Sequence, residues 1–238
     1  MLDQVNHWVD VAATAVDCLL LLRILTLKLF RPYVFVTLFA LLAVLFDGVM
    51  LWLGPDSREF LRVFLYSRFL YALVFPAVAY DVFEEAKGQV AKFRKLGLRR
   101  LVSSIILAAV FGFLVAGFGG VEQESGGDAT LATVALVVWA AAATASMAFL
   151  WSMRRAIRTQ KMEVPRNTSV FMVFFSLAFA MELLSCLFDV AIPLLNAPLS
   201  GAIQLAINAF GIAITTWCIL KLRAMPSDMQ PEPEKAGL

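Results

Sequence analysis

Seven apolar stretches, each long enough to cross a lipid bilayer, take up most of this chain. They run from Trp8 to Leu29, Pro32 to Leu53, Phe60 to Val82, Leu101 to Gly120, Thr130 to Trp151, Ser169 to Ile192 and Leu199 to Leu220. A helix rises ~1.5 Å per residue, so roughly 20 residues match a hydrocarbon layer ~30 Å thick. Within that layer only helices and closed barrels satisfy every backbone polar group, and unbroken apolar runs of this length suit helices. The expected fold class is all-α: a polytopic membrane bundle of seven transmembrane helices over residues 1–225, followed by a disordered polar tail over 226–238 with Pro231 and Pro233. Composition agrees, with 61% hydrophobic and 16% charged residues, where a soluble domain has about half and about a quarter. A folded soluble domain is not expected beside the spans.

Local punctuation divides the runs where it should. Pro32 opens the second, Gly54-Pro55-Asp56 closes it, Gly119-Gly120 and Gly126-Gly127 bracket a turn, and Pro193 and Pro198 flank a short connection. The first stretch lacks a basic leader and carries Asp10 and Asp17, so it is expected to stay as a helix rather than be cleaved as a signal. Cys18, Cys186 and Cys218 lie inside spans without metal or redox spacing, and read as buried free thiols.

Orientation follows from the segregation of lysine and arginine, which favour cytoplasmic flanks. One side collects Arg23, Lys28, Arg31, then Lys87 to Arg100, then Arg154 to Arg166, and finally Lys221, Arg223 and Lys235; the other has Arg58 and Arg62. The segment from Val121 to Asp128 has three acids and no lysine or arginine. These counts put the N-terminus outside and the C-terminus in the cytoplasm. Trp8 and Trp52 then fall near the outer interface, and Trp151 and Trp217 near the inner one, where indole is favoured. Leu45 to Pro55 (LFDGVMLWLGP) and Leu187 to Pro198 (LFDVAIPLLNAP) are alike and lie in the second and sixth spans. They suggest a three-plus-one-plus-three layout with parallel repeats. Such a layout resembles, in architecture and without a shared residue motif, the sugar-exporting SWEET proteins and seven-helix receptors.

Polar residues at depth are costly in a membrane and therefore informative. Asp17, Arg68, Glu182 and Asn208 fall ~12 to 15 Å below the outer ends of spans one, three, six and seven. Asp10, Asp47, Asp189 and Gln204 lie nearer the outside, making the outer half polar and mostly acidic. Asp10, Thr14 and Asp17 share one helical face, as do Glu182, Ser185, Cys186 and Asp189. Stripes of this kind should face the bundle interior, so the sequence predicts an outward-facing pocket floored by Arg68 with Asp17 and Glu182. The alternative is a static ion-pair network.

Several chemistries lack their residues. His7 is the sole histidine and lies outside the first span, which disfavours haem and histidine-based zinc sites, and serine hydrolysis lacks a base. The last span has no mid-membrane lysine for retinal. No cofactor or metal is expected, and nucleic acid is not an expected partner. Ala108, Gly112, Ala116 and Gly120 form a small-residue ladder for helix packing, within the bundle or in a homodimer. Lys87, Lys92, Arg94 and Lys95 continue the third span as a basic amphipathic segment suited to anionic lipid headgroups. The leading functional reading is a small-molecule or ion transporter, or a ligand-binding protein, in a bacterial inner membrane. The rivals are a non-catalytic subunit or accessory protein of a larger membrane complex, and a sensor input module without its own output domain. Enzymatic activity ranks last.

Overall fold

The computed structural model describes residues 2–53, 58–87, 127–191 and 197–224. Six helices lie among them: α1 (Leu2–Thr26), α2 (Val34–Leu53), α3 (Arg58–Lys87), α4 (Gly127–Thr159), α5 (Arg166–Ala191) and α6 (Ala197–Lys221). The protein is thus all-helical over the described residues, with five stretches long and apolar enough to cross a membrane, one each within α2 to α6. The expected span from Leu101 to Gly120, its ladder of Ala108, Gly112, Ala116 and Gly120, the basic residues Lys92, Arg94 and Lys95, and the tail 226–238 lie outside the described residues.

Helix ends differ from the apolar runs because capping, not hydropathy, sets them. α1 stops at Thr26, short of Leu29, because Lys28 takes a left-handed backbone with φ of 55°. Leu29 N–H then donates to Ile24 O and Lys28 N–H to Leu25 O, both at 3.0 Å. These bonds are the paired closure of a Schellman cap. α4 runs on past Trp151 to Thr159 and ends the same way: Lys161 has φ of 50°, Met162 N–H donates to Ile157 O, and Lys161 N–H to Arg158 O. A Thr-x-Lys-x-x-x-Pro pattern, residues 26–32 and 159–165, underlies both corners. In that register Asp47, 15 residues beyond Pro32, is matched by Glu182, 17 beyond Pro165, rather than by Asp189 at 24.

Among the described residues the helices form a ring. Each packs against its neighbour in order, α6 returns to α1, and α3 also touches α5 across the interior. Side-chain pairs fix their directions. Asp10 meets Asn208 and Arg23 meets Leu222, so α1 and α6 are parallel. Arg68 meets Trp139 and Phe83 meets Phe149, so α3 and α4 are parallel too. α2 and α5 run the other way: Asp81 of α3 reaches the start of α2, and Asn167 at the start of α5 reaches Arg223 beyond α6.

The interior of one half of the ring is aromatic. Tyr33, Phe75, Phe171, Phe175 and Phe179 are fully buried, with ring centroids 4.8 Å apart for Tyr33 and Phe171 and 4.7 Å for Phe75 and Phe179. Lipid tails are as apolar as these side chains, so close packing and ring geometry, not exclusion of water, hold them. Polar ties close this end. Tyr33 Oη and Thr168 Oγ1 are 2.7 Å apart, and Asn167 both donates to Arg223 O at 2.8 Å and accepts from Arg223 N–H at 3.1 Å. Asp81 accepts from the N–H groups of Phe35 and Val36, satisfying donors that the first turn of α2 leaves open.

The outer surface is apolar as a bilayer requires. Val34, Leu38, Leu41, Leu45, Val49 and Trp52 form one exposed stripe along α2, and Trp52 is 84% exposed. Cys186 and Cys218 are buried as expected, but Cys18 is exposed. It shares a helical face with the exposed Leu22, one turn later on α1.

Candidate functional site

At the end of the ring away from the aromatic packing, polar side chains from several helices converge. Asp17 of α1 and Asp47 of α2 are near enough to act on one another. Glu182 of α5 acts electrostatically on Asp17, and its Oε2 lies 3.4 Å from Nη1 of Arg68 on α3. That separation is long for a charge-assisted bond.

Arg68 also lies against aromatic faces. Its Cζ sits 3.2 Å from the ring centroid of Trp139 on α4 and 4.3 Å from that of Phe64, one turn earlier on α3. A planar, weakly hydrated guanidinium suits that stacked place better than an ammonium would. Trp139 is fully buried, and its Nε1–H has no hydrogen-bond partner among the described residues. Tyr71, on the same face of α3 as Arg68, feels the charges of Asp47, Glu182, Asp17 and Arg68 together. Its ring packs on Phe39 and Phe46 of α2, each with centroids 5.8 Å away. Tyr71 therefore joins the face of α3 that carries Arg68 to the aromatic packing.

No family model matches this sequence, and no curated protein or solved structure shows significant similarity to it. The site must therefore be read from its own residues.

Seven of the eight candidate residues separate into two groups. Asp17, Asp47, Arg68 and Glu182 lie on one side. Asn208 belongs to a separate chain of bonds: Gln204 Nε2 donates to Asn208 Oδ1 and Asn208 Nδ2 to Asp10 Oδ1, both at 3.0 Å. This chain ties α6 to the exposed Asp10, in the N-terminal half of α1. Asp189 belongs to the last turn of α5, where only the backbone is described. Thr14 turns its hydroxyl back to Asp10 O at 3.0 Å. Among the described residues no group of histidine, cysteine and carboxylate side chains could hold a metal ion.

Sequence reasoning missed Tyr71 and Trp139. A signal for each was available. Trp139 stands near the middle of an apolar run, away from the interfaces where indole is usually placed. Tyr71 follows Arg68 by three residues, which puts both on one helical face.

Proposed function

We propose that this protein is a transporter of small molecules or ions, or a ligand-binding membrane protein, whose polar site opens to the outside of a bacterial inner membrane. The observation that carries this reading is the gathering of the acids Asp17, Asp47 and Glu182 from three helices, with the Arg68 guanidinium 3.4 Å from Glu182. A purely structural network would be expected to balance its charges, because each unmatched buried carboxylate costs several kcal/mol. Among the described residues this cluster has more acid than base, which favours a site that exchanges a proton or a cationic group.

The reading includes seven spans with the N-terminus outside. Supporting it, α3 and α4 are parallel neighbours, so a chain crossing in alternate directions needs a return passage between them, where the apolar run Leu101 to Gly120 stands. With positively charged flanks inside, the Asp17–Asp47 end faces out and the Tyr33–Thr168 end faces the cytoplasm.

Cysteine accessibility in oriented membranes tests the site. In a cysteine-free background, Thr14→Cys and Asp17→Cys are expected to react with a membrane-impermeant maleimide added outside and to be protected when it is added inside. Absence of labelling at both positions, with His7→Cys labelled as a control, would show a closed packing cluster and defeat the reading.

A further inference from the structure

We infer that the corner where the start of α2, the start of α5 and the end of α6 meet binds the headgroup phosphate of one anionic phospholipid, held by Arg31, Arg166 and Arg223. This corner lies at the end of the ring away from the acidic cluster, and the inference does not depend on what that cluster does.

A run of hydrogen bonds brings these arginines together from distant parts of the chain. Tyr33 Oη lies 2.7 Å from Thr168 Oγ1, and Arg31 stands two residues before Tyr33. Asn167, beside Thr168, holds the backbone of Arg223 by two bonds, accepting from its N–H at 3.1 Å and donating to its carbonyl at 2.8 Å. Arg166 directly precedes Asn167 and opens α5. A further arginine joins from α1: Arg23 Nη2 donates to the carbonyl of Leu222, next to Arg223, at 3.2 Å, and its buried Nε has no acceptor among the described residues. Tyr33, Asn167, Thr168 and Leu222 are buried, while Arg31, Arg166 and Arg223 are exposed. The charges therefore stand on a fixed floor.

Cations gathered in this way repel one another unless an anion lies among them. Among the described residues Arg31, Arg166 and Arg223 form no ion pair, and Asp81, the buried acid at this end, is taken up by the N–H groups of Phe35 and Val36. A guanidinium offers paired donors that match two oxygens of a phosphate, which suits arginine to this place better than lysine. Basic recesses between the ends of membrane helices bind lipid headgroups in this manner. The neighbouring surface fits the rest of a lipid. The exposed stripe of α2 begins with Val34, three residues beyond Arg31, and continues through Leu38 and Leu41. A headgroup on the arginines leaves its acyl chains to run along such a stripe, whereas a soluble phosphate has no use for it.

The test uses the full chain in a mild detergent and native mass spectrometry, which counts bound lipids. Dioleoyl phosphatidylglycerol and dioleoyl phosphatidylcholine are the probes, alike in their tails and different in net charge. One phosphatidylglycerol is expected to bind about tenfold or more tightly than phosphatidylcholine, the worth of one charge-assisted hydrogen bond. Changing Arg31, Arg166 and Arg223 together to Gln should abolish that preference. Changing Arg155, Arg158 and Lys161 to Gln removes as much charge from the same end of the bundle and should leave it intact. Arg223→Gln alone keeps the backbone bonds to Asn167 and should weaken phosphatidylglycerol several-fold with phosphatidylcholine unchanged, which gives a reading even if the triple variant fails to fold. Equal binding of the two lipids by the wild type overturns the inference, and so does an equal loss in both triple variants, which would show diffuse surface charge. Displacement of the lipid by millimolar glycerol 3-phosphate or by a polyglutamate peptide would assign the corner to a soluble phosphate or to an acidic protein partner, and overturns it as well.

Discussion

At the residue scale, Arg68 shows how a charge is kept within an apolar bundle. Its guanidinium lies on the Trp139 and Phe64 faces and beside Glu182. Arg68→Ala is expected to destabilise the protein by about 2 kcal/mol, from loss of a partly desolvated cation–π contact and the ion pair. Arg68→Lys should recover less than half of that, because an ammonium lacks the planar face for stacking. Unfolding titrations with a denaturing detergent in mixed micelles check both values; equal stability of Arg68→Ala and wild type would remove the stacking argument. Hydropathy and spacing picked out Arg68 and Glu182 because a charge in an apolar run is visible in a sequence. They did not pick out Trp139, because an aromatic residue in an apolar run looks like packing until a cation is seen on its face. Asp47 was legible for the same reason, as a charge in an apolar run.

At the element scale, the corners of the bundle depend on caps that ordinary propensity would not choose. Lysine occupies the left-handed position after both α1 and α4. A non-glycine residue there pays ~1 to 2 kcal/mol, and glycine pays part of that back in unfolded-state entropy. Lys28→Gly is therefore expected to stabilise the protein by about 0.5 kcal/mol, and Lys161→Gly by about the same amount. Thermal melts of each variant in one detergent give the comparison, and lower melting temperatures would argue against the caps. Asp81 presents the opposite case, a side chain from α3 capping the first turn of α2. Replacing Asp81 by Ala leaves two amide donors unmatched and should cost ~1 to 2 kcal/mol, seen in the same melts. Asp81→Asn should fall between, since its amide oxygen still accepts.

At the scale of the whole molecule, helix direction carries the topology. Parallel α3 and α4, with parallel α1 and α6, put the two ends of the described chain on opposite faces of the ring. In right-side-out vesicles from a cysteine-free background, His7→Cys is expected to react with an impermeant maleimide without lysis. Gln160→Cys, at the corner after α4, should react only after lysis. Labelling of both from the same side would overturn the orientation. In the expected orientation the basic corners Lys28, Arg31, Arg154, Arg158 and Lys161 would face the cytoplasmic leaflet, where anionic headgroups lie.

By itself the sequence determined the solvent and the secondary structure. Long apolar runs leave a backbone no partner except its own helix, and they leave the bilayer as its natural surroundings. It also exposed the costly residues, because a charge among apolar neighbours needs a reason. Only the tertiary structure decided which of those residues meet. Contact between Asp17 and Asp47, or between Arg68 and Trp139, depends on how helices far apart in the chain are rotated and displaced against one another. That arrangement is set by summed packing of many side chains, chiefly the Phe75, Phe175 and Phe179 interior, and no local pattern encodes it.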